Sequence, residues 1–201
     1  MDIEEVFEFY RTEFVPAYSD LVGYIGNKPQ QLVIELENTF THTSQYFNPE
    51  LNIQDRDKNL AKAYDHLVRA TLDCYKLLWV TMHEQLKAIE EDKAKRKLGL
   101  NISEAGFLTK FQKIKKLAQE ARRIEMTSVG LSPMESLDKY KEVVKYSYEL
   151  IDTIDENKMQ EIKSLKRFVS TKEFMIGTAV GILAGLISGY VLHLVIASPT
   201  P

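Results

Sequence analysis

Apolar side chains recur along most of this chain at intervals of three and four residues, the spacing of one face of an α-helix. The longest such stripe predicts a helix from about Asp55 to Lys97. Helices are also predicted over Asp2 to Phe14, where Pro16 should interrupt the chain, and over Gln30 to Phe47. No stretch of useful length alternates apolar and polar residues as a strand does, so the pattern predicts an all-α fold.

The second half of the chain continues this pattern with two further helices. One begins at Ser103, and the next begins at the sequence SPME from Ser132 to Glu135, a capping box with proline at the first helical position. A heptad-like seam follows this box, slips at Asp155 to Lys158 and then resumes as far as Phe168. Together these helices predict an antiparallel helical bundle over residues 1–170.

The segment from Phe174 to Ala197 contains 24 residues and no formally charged side chain. A helix of that length spans about 36 Å and would cross a hydrocarbon core of about 30 Å. We therefore expect a single C-terminal transmembrane helix over residues 174–197, after a junction at 171–173 and before a short tail at 198–201. Basic residues precede the segment and none follows it, which places the large N-terminal domain in the cytoplasm. The predicted localisation is that of a tail-anchored, single-pass membrane protein.

Glycine recurs every four residues within the same segment. Four of the nine glycines in the chain are placed in this way, namely Gly177, Gly181, Gly185 and Gly189. Each would weaken a helix in water by up to about 1 kcal/mol, whereas in lipid a glycine face lets a second helix approach closely. We expect homo-oligomerisation through this face, the simpler alternative being that small residues are common in membrane helices.

Charge is unevenly distributed, although the formal net charge is only −3. Residues 1–58 carry 11 acidic and 4 basic side chains, whereas residues 93–123 carry 2 acidic and 10 basic ones. The basic side chains are Lys93, Lys95, Arg96, Lys97, Lys110, Lys113, Lys115, Lys116, Arg122 and Arg123. Such a patch suits an anionic partner, either nucleic acid or anionic lipid. We favour the alternative of a solvated face that pairs with the acidic N-terminal helices, because aromatic residues suited to nucleic acid are sparse.

No motif for catalysis or metal binding is present. Zinc proteases need two histidines four residues apart, but Lys87 occupies the second position after His83. The single cysteine, Cys74, lies on an apolar stripe with no histidine one turn away, so we interpret it as a buried apolar residue. There is no glycine-rich phosphate loop. We expect a non-enzymatic protein with no metal and no cofactor.

Residues Asn59 to Lys76 contain the run A-x-x-H-L-x-R-A, which resembles helices of HEPN-type domains. These domains are small all-α bundles that include many prokaryotic ribonucleases and non-catalytic relatives. Catalytic members carry an arginine shortly followed by a histidine, and this chain has no such pair, so the resemblance implies a non-catalytic member. His66 and Arg69 lie one turn apart and can bind an anion, although a structural surface pair is the simpler interpretation.

Three hypotheses for the function follow from these features. In the first, the helical domain of a tail-anchored membrane protein acts as a non-enzymatic sensor or adaptor for a protein partner, and the glycine face assembles the chains. In the second, the protein is a membrane-perturbing effector, of a cell-killing or phage-defence type, that the helical domain gates. In the third, it is a HEPN-like RNA-binding domain or ribonuclease. The glycine face suits both of the first two hypotheses.

Overall fold

The computed structural model describes residues 1–127 and 133–197, with the backbone alone at Leu186 and at residues 189–197. Its regular structure in these ranges is helical, as predicted. The α-helices are α1 (Ile3–Phe9), α2 (Val15–Ile25), α3 (Gln30–Tyr46), α4 (Ile53–Glu90), α5 (Lys93–Leu98), α6 (Glu104–Thr127), α7 (Met134–Ile151) and α8 (Glu156–Ala197). The chain divides into two compact units, the first over Met1–Ile154 and the second from Asp155 onwards.

Pro16 does not interrupt the N-terminal helix as the sequence predicts. A π-helical turn, Tyr10–Phe14, joins α1 to α2, and the Val15 N–H bonds to the Tyr10 carbonyl five residues before it. Because Pro16 has no N–H to donate, this wider turn lets the chain pass the proline without ending the helix. Helix α2 ends instead at Gly26, whose φ of 72° lies in the left-handed region that glycine adopts without strain.

Pairs of side chains fix the direction of the neighbours of α4. Along α3 the residue numbers rise as those of their α4 partners fall, so the two helices are antiparallel. The pairs are Gln31 with Asp73, Glu35 with His66 and His42 with Asn59. Helix α6 is also antiparallel to α4, through Lys76 with Glu125 and Lys115 with Glu90. The bundle within the first unit is therefore antiparallel in these contacts, as predicted.

Helix α4 forms the centre of the first unit. Between Leu67 and Cys74 nearly every side chain is buried, because α2, α3 and α7 all pack against this helix. Buried polar groups there are satisfied locally, since the Thr71 hydroxyl donates to the Leu67 carbonyl at 2.8 Å. Burial also raises the pKa of the Cys74 thiol to about 12. That thiol is consequently protonated at neutral pH, in agreement with a packing role.

Helix α4 is shorter than the pattern predicts. It ends at Glu90, and the polar residues that follow form the separate short helix α5. The Asp92 side chain accepts hydrogen bonds from the backbone N–H groups of Ala94 and Lys95, which caps α5 and replaces the continuous helix. The start of α6 agrees with the prediction, since the Ser103 hydroxyl oxygen accepts from the Gly106 N–H at 3.1 Å. The predicted capping residue Ser132 lies outside the described residues.

The prediction of a transmembrane helix is wrong. Among the residues that the structure describes, no helix is both long enough and apolar enough to cross a membrane. The prediction of a tail-anchored, single-pass membrane protein with a cytoplasmic N-terminal domain is wrong with it. The hypothesis of a membrane-perturbing effector and the prediction of the lipid bilayer as a partner were both based on this transmembrane helix.

Truncation of a core side chain in α4 should destabilise the first unit strongly. Leu78 is fully buried, so Leu78→Ala removes apolar contacts and leaves a cavity. We expect the free energy of unfolding to fall by about 2–5 kcal/mol in chemical denaturation followed by circular dichroism. The matched control is Val80→Ala, two residues along the same helix and 52% exposed, which should change it by no more than about 0.5 kcal/mol. Equal effects of the two substitutions would contradict the position of α4 in the core.

Candidate functional site

The apolar segment of α8, which we define as Phe174 to Ser188, exposes its large side chains on all sides. Phe174, Met175, Ile176, Val180, Ile182, Leu183 and Ile187 are 53–73% exposed. A folded protein rarely leaves an apolar surface of this extent uncovered unless something binds there. This segment is the most extensive uncovered apolar surface among the described side chains, and it contains no formal charge.

The predicted glycines lie on one open strip of this segment. A Cβ atom added to Gly177, Gly181 or Gly185 would meet no atom within 4 Å, so no other part of the described chain covers them. A step of four residues advances about 40° around a helix, so the three glycines share an arc of roughly 80°. The side-chain position of Gly189 lies outside the described residues. The three glycines form a shallow strip on which a second helix can lie closely.

The basic residues of 93–123 lie on α5 and α6, and some of them are paired within the bundle. Arg96 contacts Glu104, Lys115 contacts Glu90 and Arg122 contacts Glu125, each at 2.8 Å. These partners are not in the acidic N-terminal helices, where the sequence interpretation placed them. Lys113 lies over the Tyr146 ring, with its Nζ 4.6 Å from the ring centroid. The other six make no ion pair with any described residue, and we name them the basic surface: Lys93, Lys95, Lys97, Lys110, Lys116 and Arg123.

Two histidines of α3 and α4 form a small stacked cluster. The rings of His42 and His66 lie 5.3 Å apart at an angle of 13°, and His66 Nδ1 bonds to Glu35 at 2.7 Å. Arg69 is exposed one turn away. Because His66 already contacts a carboxylate, this pair is better suited to holding α3 on α4 than to binding an anion. Among the described residues, no group of three or more histidine, cysteine, aspartate or glutamate side chains could hold a metal ion.

A cavity of about 580 Å³ between α4, α6 and α7 combines Lys115 and Arg122 of the predicted basic patch with residues that the sequence interpretation did not select as a site. Helix α4 contributes Lys76, Trp79 and His83, helix α6 contributes Lys115 and Arg122, and helix α7 contributes Tyr140. The α4 residues follow one another at steps of three and four, which places them on one helix face. In the sequence, this spacing of a lysine, a tryptophan and a histidine was the feature from which the cavity could have been predicted.

One carboxylate, Glu125, holds two of the cations beside this cavity. Lys76 Nζ donates to its Oε1 at 3.0 Å, and Arg122 Nη1 donates to its Oε2 at 2.8 Å. Burial alone would raise the pKa of Glu125, but the hydrogen bonds from Arg122 and Lys76 outweigh it, so the pKa lies below its ordinary value. Glu125 therefore stays ionised and positions both cations.

Comparison of the chain with protein-family models, curated proteins and solved structures gave no match. The HEPN-type resemblance stays a prediction.

Removal of the charge on Glu125 should destabilise the protein in a pH-dependent way. At pH 7 we expect Glu125→Gln to lower the free energy of unfolding by about 1–3 kcal/mol, because Lys76 and Arg122 lose a shared charged acceptor. A carboxyl group with a lowered folded-state pKa stabilises the fold above its unfolded pKa of about 4.3 and loses this effect as the pH falls. The difference between wild type and variant should thus shrink below about pH 4 in denaturation curves.

The matched control is Glu120→Gln on the same helix. Glu120 is more exposed and lies 3.7 Å from Lys139, so its substitution should change the free energy of unfolding by about 0–1 kcal/mol. A Glu125→Gln effect that stays constant from pH 7 to pH 3 would show that Glu125 does not act through its ionised form.

Proposed function

We propose that this protein is a non-enzymatic helical adaptor that self-associates through the apolar segment of α8. The observation that carries this proposal is the exposure of that segment on every side. In this proposal the first unit acts as the recognition domain, and its basic surface is offered to an acidic protein partner.

Burial of apolar surface is the main favourable contribution to association between proteins. The segment offers seven large apolar side chains along a length of about 22 Å, at 1.5 Å per residue. The glycines in it lower the intrinsic stability of the helix, so contacts with a partner are needed to offset their cost. Both features favour a helix that is stabilised by assembly.

A second copy of α8 is the partner that this surface fits best. Two identical helices crossing at their glycines bring two backbones together without obstruction from side chains, and a two-fold arrangement makes both contributions equal. The uncharged segment offers no ionic group with which a different partner would be selected. The charged part of α8 before Phe174 includes both lysines and glutamates, so adjacent copies can pair there as well.

The basic surface supplies the recognition part of the proposal. Its six cations lie on two consecutive helices and make no ion pair with a described residue. An acidic protein surface would be attracted to them, and an assembly would present several such surfaces at once, which increases avidity. Binding of RNA, which the HEPN-type resemblance raised, stays a prediction.

Substitution of two glycines by a bulky residue should disrupt self-association. Gly181→Leu together with Gly185→Leu fills the strip and keeps the helices apart. We expect light scattering after size-exclusion chromatography to give an oligomer for wild type and a smaller species for the double variant. A chain that ends at Ser170 should also be the smaller species.

The matched control is Ala179→Leu, which places a leucine side chain about 160° from Gly181 around the helix. This control should keep the mass of the wild-type oligomer. An unchanged mass in the double variant would contradict assembly through the glycines, and a monomeric wild type would contradict self-association altogether.

A further inference from the structure

The cavity between α4, α6 and α7 is cationic in its lining. Lys76, Lys115 and Arg122 all face it, and its lining residues include no carboxylate. The acids that bind these cations, Asp73, Glu90 and Glu125, are not part of the lining. An anion in the cavity would therefore lie beside three cations, each of which also pairs with a carboxylate outside the lining.

Lys115 and Arg122 keep several hydrogen-bond donors beyond those used inside the protein, whereas Lys76 already donates to both Asp73 and Glu125. The Lys115 ammonium donates to Glu90, which leaves two of its three N–H groups. Arg122 uses Nη1 for Glu125, and the other donors of its guanidinium have no partner among the described side chains. Because the carboxylates hold the cations in place, a ligand would bind groups that are already ordered.

The rest of the lining is aromatic and aliphatic, apart from the amide of Gln119. Trp79 is partly exposed, and its ring centroid lies 4.9 Å from that of His83. Helix α7 adds the ring of Tyr140 to the lining. The ring of Trp79 offers a flat apolar surface for stacking. A cavity of about 580 Å³ lies within the range of about 300–1,000 Å³ typical of small-molecule sites.

We propose that this cavity binds a small aromatic anion of the mononucleotide type, whose ring lies against Trp79 and whose anionic group is held by Lys115 and Arg122. A ligand that fits the whole lining needs both an aromatic ring and an anionic group. An inorganic anion would make no contact with the aromatic surface, and a neutral aromatic molecule would make no ionic contact with the cations. This binding site is independent of self-association through α8.

His83 is consistent with such a ligand. Its Nδ1 is buried and has no hydrogen-bond partner in the described structure. Burial lowers the pKa of this imidazole, with further lowering by Lys115 and Lys87 that Glu90 and Glu84 oppose. A bound anion would add a negative charge beside it and raise that pKa.

Trp79 is the single tryptophan of the chain, so its fluorescence reports directly on the site. The full-length protein would be titrated with adenosine 5′-monophosphate and with uridine 5′-monophosphate at low salt. We expect a saturable change in emission for both. Adenosine and ribose 5-phosphate, which each lack one of the two recognised parts, should each bind at least about tenfold more weakly.

Val80 provides a pair of matched variants, because it lines the cavity and is 52% exposed, so both variants should fold. Val80→Glu should weaken binding of the nucleotides at least about tenfold by repulsion, and Val80→Lys should keep or strengthen it. Lys62→Gln, which removes a charge from an exposed position of α4 outside the cavity, should have no effect.

No saturable change with either nucleotide would overturn the proposal, and so would an affinity that Val80→Glu leaves unaltered. Adenosine binding as tightly as its monophosphate would show a neutral aromatic site, and ribose 5-phosphate binding as tightly would show a site for phosphate alone. Either result would contradict the combined recognition.

Discussion

The burial of α4 on several sides is the constraint on which the rest of the first unit depends. A helix with one apolar face can sit at the edge of a bundle, but six of the eight side chains from Leu67 to Cys74 are buried, with Arg69 exposed and Asp73 half-buried. Helices α2, α3 and α7 must therefore surround it. The polar pairs come at its less buried positions, where they set direction and register. Glu35 of α3 contacts His66 of α4, and Glu125 of α6 contacts Lys76 of α4.

The same helix connects packing to recognition. Leu78 and Met82 point into the core, while Lys76, Trp79 and His83 on another face line the cavity. The core fixes these three side chains as a rigid row, against which α6 adds its cations. The second unit is different in kind, since α8 is one continuous helix whose described apolar segment is left uncovered. One unit therefore offers an ordered cavity and a basic surface, and the other offers a surface for assembly.

Much of the first unit could be predicted from the sequence, because its helices obey the simple rule of apolar residues at three- and four-residue spacing. Helix α3 begins and ends close to the predicted positions, and α6 and α7 begin close to theirs. Helix α7 does not continue to Phe168 as the seam predicts, because it ends at Ile151 and Phe168 lies in α8. The errors arise where a local feature overrides that rule. A π-helical turn carries the chain past Pro16, and the Asp92 cap separates α5 from α4. The cavity was missed because Trp79 lies within the long apolar stripe from Asp55 to Lys97, and the partners of Lys115 and Arg122 depend on contacts between helices that spacing does not reveal. The transmembrane prediction rested on apolar character alone, and no helix among the described residues is both long enough and apolar enough to span a membrane.

The most direct test of assembly through α8 is the rate of disulfide formation between copies. Cys74 is buried and is the single cysteine, so Cys74→Ala gives a background without thiols. In that background, Gly181→Cys places a thiol on the glycine strip, and Ala179→Cys places one on the opposite side of the same helix. If two copies cross at their glycines, mild oxidation should link Gly181→Cys into dimers much faster than Ala179→Cys. Equal rates at the two positions, or no dimers at either, would contradict this account.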